Sequence, residues 1–214
     1  MSPGRQAKLD AIHGSIARTL PDYARAHIPQ ASNLTLHPFH EQPLRHGTND
    51  AKTYLYLWMS GKPSAYIGWN YESFSTYHDC AGIKVIQGVY HNDEPKPVPP
   101  AGWAASLINC LTDNLLLHPE LDVSHISIVP AEDNLWYPRL IGQLGMELDE
   151  QMSELIRQQE RMKRHYDGTA RSLGFELVRQ KRKNDHSRFD RKEYVYHKKI
   201  SNGVLSNTAV VDSK

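Results

Sequence analysis

Apolar residues at Leu9, Ile12, Ile16 and Leu20 share one face of a helical spiral, which predicts a helix over 6–27 that Pro29 ends. Residues 31–50, with Pro, His, Asn and Gly, read as a strand and a loop. The pattern then changes. An aromatic run from Thr53 to Met59, a turn Ser60-Gly61-Lys62-Pro63 and a second run from Ser64 to Trp69 predict a β-hairpin. "AGIKVIQGVY", Ala81–Tyr90, is a third strand, and the three form an antiparallel meander. A turn-prone stretch, "HNDEPKPVPPAG", leads into a helix over 102–117, where Ala104, Leu107, Ile108, Leu111 and Leu115 form a core-facing stripe. His118-Pro119 ends it. "VSHISIVPA" suits a short buried strand, and a helix follows over about 135–143. Leu148, Met152, Leu155, Ile156, Met162, Tyr166, Ala170 and Leu173 mark a long helix over 148–172, with Gly168 a candidate break and Gly174 placed to cap it. "FELVRQKR" and "KEYVYHKKI" are two last strands around a polar hairpin loop, and 201–214 reads as a frayed tail. The order implies an α+β fold with a mixed, mostly antiparallel sheet, in a single domain over 1–200.

Composition narrows the class without naming a chemistry. The chain has 214 residues, 39% apolar and 23% charged, as an ordinary globular protein does. No stretch approaches the roughly 18 consecutive apolar residues of a membrane span. The first twenty residues are amphipathic and lack the apolar core of a signal peptide, so a cytoplasmic protein with no membrane partner is expected. Cys80 and Cys110 are too few for a disulfide framework. The twelve histidines are scattered, and the closest pair, His37 and His40, has no cysteine at zinc spacing, so no metal site is expected. No phosphate-binding Walker loop, nucleophile elbow or dinucleotide fingerprint is present. The net charge of +1 hides an asymmetry: residues 151–200 hold 14 of the 25 Lys and Arg but 7 of the 24 Asp and Glu. Basic residues interleave with Phe189, Tyr194 and Tyr196 over "RQKRKNDHSRFDRKEYVYHKK", a composition able to bind nucleic-acid phosphates and stack bases.

The element order resembles the GCN5-related N-acetyltransferase (GNAT) superfamily. "GKPSAYIGW" is similar to a hairpin early in that fold. "PPAGWAASL", Pro99–Leu107, resembles the family loop that holds the acyl-CoA pyrophosphate, in its glycine, its small residues and the helix it opens. It departs at Pro99, where the family places Gln or Arg, and neither Pro99 nor Pro100 has an N–H to donate. The resemblance therefore puts the cradle on Ala101, Gly102, Trp103 and Ala104, where small residues and a helix N-terminus favour an anion. "SIVPAEDNLWYPRLIGQLGMEL" is similar to the family's strand, asparagine and short helix, which makes Asn134 a cofactor-binding candidate. The family tyrosine of that helix would fall at Ile141. "HYDGTARSLGFEL" resembles the same element and is followed by the expected strand pair, so an extra long helix would be inserted before it.

The resemblance implies acyl transfer from acetyl-CoA or another acyl-CoA to an amine by direct attack. Tyr166 is the first candidate for the acid that protonates the thiolate, with Tyr137 second. Glu72 is the first candidate base and His91 the second, with His78 and Asp79 nearby in sequence. The acceptor amine stays open among small molecule, protein and nucleic acid. Two other readings stay open: a nucleic-acid-binding or -modifying accessory protein using the basic segment, and a GNAT fold that has lost its cofactor and serves as an interaction module.

Overall fold

The structure, a computed structural model, describes residues 3–41, 43, 51–72, 80–89, 97–121, 123–128, 148–180 and 193–200. Its elements in chain order are α1 (Pro3–His27), β1 (Asn33–Pro38), β2 (Thr53–Met59), β3 (Lys62–Glu72), β4 (Cys80–Gly88), α2 (Trp103–Leu117), β5 (His125–Ile128), α3 (Leu148–Ser172), β6 (Glu176–Gln180) and β7 (Glu193–Lys199). The strands make one sheet in the order β1-β2-β3-β4-β5-β7-β6. All neighbours are antiparallel except β4 and β5. This is the mixed, mostly antiparallel α+β sheet that the hydrophobic pattern predicts, with β1 added to the predicted meander.

Strand alternation divides the sheet into two faces. One carries Leu55, Leu57, Ile67, Ile83, Ile126 and Ile128, and all of these are buried in one core with the apolar stripes of α1 and α2. Every residue of the two stripes picked out by periodicity is inside that core, except Leu9, which is buried beside it. The C-terminal part of α3 joins the same core through Tyr166 and Ala170. His13 Nε2 and Tyr71 Oη lie 3.2 Å apart and tie α1 to β3. The opposite face carries Tyr54, Tyr56, Tyr66 and Val85, a second buried cluster rich in tyrosine.

Gly68 in β3 is a place where only glycine fits. A Cβ there would stand 2.8 Å from Ala51 Cβ, Tyr54 Cε1 and Val85 Cγ1. The crowding adjoins a β-bulge. Gly68 pairs with Val85 and Trp69 with Ile83, so Lys84 of β4 has no opposite residue. A bulge bends its strand and sharpens the local twist.

Two details differ from expectation. The hairpin turn is shorter than predicted, since β3 resumes at Lys62 directly after Ser60 and Gly61. A two-residue loop with both residues at positive φ, as here, matches the twist of the flanking strands. Gly168 does not break α3, which runs unbroken from Leu148 to Ser172. One interior glycine costs about 1 kcal/mol, and the burial of Tyr166 and Ala170 on either side offsets it. The helix predicted over 135–143 lies outside the described residues, as does the tail 201–214. Gly174 does cap α3: at φ 73° it lets Phe175 N–H reach Ala170 O and its own N–H reach Arg171 O.

Candidate functional site

β4 and β5 pair only over Cys80–Ile83 and His125–Ile128. β4 continues to Gly88 and stays paired with β3, but beyond Ile83 no described strand pairs it on the β5 side. The bulge at Lys84 falls where this single-sided stretch begins. Val89 N–H, at its end, points back to Ser64 O of β3. Amides alternate along a strand, so that of Ile86 points to the open side. There it donates to Tyr166 Oη at 2.8 Å. Tyr166 is 2% exposed and enters from α3. A backbone donor and a phenol are thus brought together on β4 past the described β4–β5 pairing.

The loop before α2 is anchored near this place. Ser64 Oγ donates to Pro97 O at 2.7 Å, and Ser64 O accepts from Val89, so one residue of β3 holds both chain ends that flank 90–96. Gly102 stands at φ 77° as the N-cap of α2, and no side chain caps the helix. A Cβ on Gly102 would meet nothing within 4 Å. Its glycine is required by the left-handed backbone, and the space outside it is open to an approaching group. Trp103 corrects the sequence reading of the cradle, because its N–H already donates to Pro100 O at 3.1 Å. Ala101, Gly102 and Ala104 remain as the small-residue donors of an uncapped helix N-terminus. The Trp103 ring instead packs at 5.4 Å from the His165 ring, which joins the head of α2 to the residue before Tyr166. Burial, with Arg161 as a lesser cause, lowers the His165 pKa.

A second polar group lies on the tyrosine-bearing face. Register places Glu72, Cys80, His125 and Lys199 in one row across β3, β4, β5 and β7. His125 stacks on His197 with ring centroids 4.4 Å apart, and Cys80 Sγ lies 3.4 Å from Ser127 Oγ. Burial first and Lys199 second lower the His125 pKa. Burial first and His125 second push the His197 pKa down to about 4. Both rings are therefore neutral near pH 7 and able to accept a proton. An imidazole kept neutral by folding is protonated first in the unfolded chain. The stability it contributes is complete above its usual pKa of 6.5 and is lost as the pH falls toward 4. His197→Gln is expected to remove about 2 kcal/mol of the stability change across that window, read by denaturant unfolding at successive pH values. Parallel pH profiles for variant and parent would refute this.

Three observations now stand together. Three antiparallel strands lead to a bulged β4, which pairs in parallel with β5. A small-residue loop opens the intervening helix. A later helix delivers a tyrosine to the Ile86 amide, before a strand pair that inserts β7 beside β5. This is the element order that the resemblance in the sequence implies. No protein-family model matches the sequence, and no curated protein matches it. Among solved structures it is similar to Naa50 from Arabidopsis thaliana in complex with the bisubstrate analogue CoA-Ac-MVNAL, at 12% identity over 77% of this chain and 97% of that one, TM-score 0.37. It is also similar to an acetyltransferase from Agrobacterium tumefaciens, at 14% identity over 78% and 91% of the two chains, TM-score 0.38. A third similar structure is the N-acetylglutamate synthase of Neisseria gonorrhoeae complexed with coenzyme A and N-acetyl-glutamate, at 13% identity over 86% of this chain and 33% of that one, TM-score 0.31.

The predicted site residues separate into three groups. Tyr166 meets β4 at Ile86, and its neighbour His165 meets Trp103 at the head of α2, where Ala101, Gly102 and Ala104 also lie. Glu72 does not join them. It is the last residue of β3, paired with Cys80, six residues along β4 from Ile86. At strand rise that is roughly 20 Å, too far for direct proton transfer at the Ile86 amide. His91, Asn134 and Tyr137 lie outside the described residues, as does the basic stretch 181–192. Sequence reasoning missed His125 and His197. The alternation in "HISI" places His125 and Ser127 on one face, but nothing local says that β7 will lie alongside. Among the described residues no cluster of three or more His, Cys, Asp or Glu could hold a metal ion, and no helix is long and apolar enough to cross a membrane.

Proposed function

We propose that this protein is an acyltransferase that moves an acyl group from acyl-CoA, with acetyl-CoA the first candidate, to an amine. The observation that carries this reading is the Ile86 amide meeting the Tyr166 hydroxyl on the open edge of β4. The residues fit the donor. The uncapped head of α2 offers the Ala101, Gly102 and Ala104 amides to the pyrophosphate, and the open side of Gly102 leaves room for it. Beyond Ile83, where no described strand pairs it on the β5 side, β4 offers its backbone groups to an extended pantetheine, as a strand does to a peptide. When bound, the thioester supplies the activated acyl group. The amine nitrogen forms its bond to the acyl carbon as the carbon–sulfur bond breaks.

The chain contributes positioning and proton handling. Ile86 N–H is fixed in the sheet and donates to Tyr166 Oη, so it holds the phenol in place. Tyr166 accepts from that amide, and we assign its hydroxyl as the acid that protonates the departing thiolate. For the amine proton, His91 follows the same end of β4, and we assign it as the base. Glu72 acts only through water or through the row it shares with Cys80 and His125. The acceptor carries an amine, on a small molecule, a protein or a nucleic acid.

Titration with acetyl-CoA, followed by calorimetry and by thermal melting, tests the reading. Saturating ligand should raise the melting temperature, because it binds only the folded state. Gly102→Leu should weaken binding at least tenfold, since a side chain would occupy the open approach and strain the left-handed backbone. Flat melting curves across several acyl-CoAs would sink the proposal.

A further inference from the structure

The apolar stripe of α3 does not stop where the helix leaves the core. Tyr166 and Ala170 are buried, but on the same stripe toward the helix start Met152 and Ile156 are 53% and 51% exposed. By spacing, Leu148, Leu155 and Met162 fall on this stripe too. The positions 148, 152, 155, 159, 162 and 166 alternate in steps of four and three, the seam of a helix that packs along another helix.

The charges decide what that other helix is. Residues 149–155 hold Asp149, Glu150 and Glu154 and no base, for a net −3. Residues 156–164 hold Arg157, Arg161, Lys163 and Arg164 against Glu160, for a net +3. The stretch is complementary to itself when reversed. A parallel copy would set acid against acid. An antiparallel copy sets each acidic half against a basic half and opposes the helix dipoles.

We infer that the N-terminal half of α3 binds the same segment of a second copy, antiparallel, around a two-fold axis at Ile156. The register follows from symmetry. In an isologous contact the residue on the axis meets itself. Asp149 and Lys163 lie seven residues to either side of Ile156 and on the same flank of the stripe, so Asp149 of each copy meets Lys163 of the other, and Ile156 packs on Ile156. Glu154 and Arg157 are already joined within one helix at 2.7 Å and sit nearest the axis. This contact is independent of the acyl-transfer reading. It leaves Tyr166, at the other end of α3, facing the sheet.

Sedimentation of the full chain over a range of protein and salt concentrations tests it. The expected result is a reversible dimer that weakens with salt. Ile156→Glu should weaken it at least tenfold with an unchanged circular dichroism spectrum. Asp149→Lys should weaken it, and adding Lys163→Asp should restore it. Mild oxidation should link Ile156→Cys into a covalent dimer. Met152→Cys should stay unlinked, because its two copies would sit eight residues of helical rise apart, about 12 Å, beyond disulfide reach. Cys80 and Cys110 are buried and do not compete. A monomer at every concentration would overturn the inference, as would a dimer indifferent to Ile156→Glu. A monomer whose melting temperature falls in Ile156→Glu would also overturn it, by assigning the stripe to another segment of the same chain.

Discussion

Tyr166→Phe is expected to lower kcat for acyl transfer about 100-fold while changing the affinity for acyl-CoA by no more than about twofold. General acid catalysis by a positioned side chain is worth about 100- to 10,000-fold, and removing the phenol removes the proton donor we assign to the thiolate. The phenylalanine ring keeps the buried packing of a residue that is 2% exposed. What is lost locally is the acceptor for the Ile86 amide, at a cost of about 1–3 kcal/mol for a buried donor left unmatched. That cost falls on stability, whereas the assigned role falls on turnover, so the two separate. Steady-state rates and equilibrium binding on the same preparation read them independently. A variant with the parent's turnover and a lowered melting temperature would show that the hydroxyl only pins β4, and would move the acid to Tyr137.

Gly68→Val is the second large effect, and it acts through the fold. Three side-chain atoms stand 2.8 Å from where a Cβ would be, all of them on β2, β4 or the residue leading into β2. Valine must displace several of these at once, inside a core that packs like a solid. The expected loss is about 3 kcal/mol, or about 10 °C in melting temperature for a chain of this size. Because Val85 adjoins the bulge at Lys84, the open edge of β4 should shift with it, and acyl-CoA binding should weaken in the variant even where it remains folded. Gly168→Ala is the control: nothing lies within 4 Å of its Cβ position, and alanine in mid-helix should stabilise by about 0.5–1 kcal/mol. Equal melting temperatures for the two variants would refute the crowding argument.

Much of the element layout was legible in the residues. The stripes of α1 and α2 are local signals, because side chains three and four apart share a face whatever else the chain does. The hairpin of β2 and β3 and the glycine cap of α3 are equally local. The glycine at the head of α2 was legible too, since a glycine before an Ala-rich helix is a backbone signal. That Trp103 spends its amide on Pro100 was not, because a loop's internal hydrogen bonds depend on dihedral angles that composition does not specify.

Tyr166 shows the dividing line most clearly. Its place on an apolar stripe follows from spacing alone, and spacing reads equally well as packing. That its hydroxyl lands on Ile86, eighty residues earlier, depends on where α3 crosses the sheet. Glu72 shows the converse. Being near β4 in sequence suggested nearness to the chemistry, yet the antiparallel register carries it to the far end of the strand.

By itself, then, the sequence determined which residues of α1 and α2 face inward, the order of the elements that the structure describes, and which loop opens α2 with a glycine. Only the tertiary structure decided that β4 pairs in parallel with β5, that β7 slips between β5 and β6 to bring His197 onto His125, and that a phenol meets a backbone amide of β4. Periodicity records each element's own inward face and carries no term for which strand lies next to which. Neighbour, direction and register are settled when all those faces compete to be buried at once.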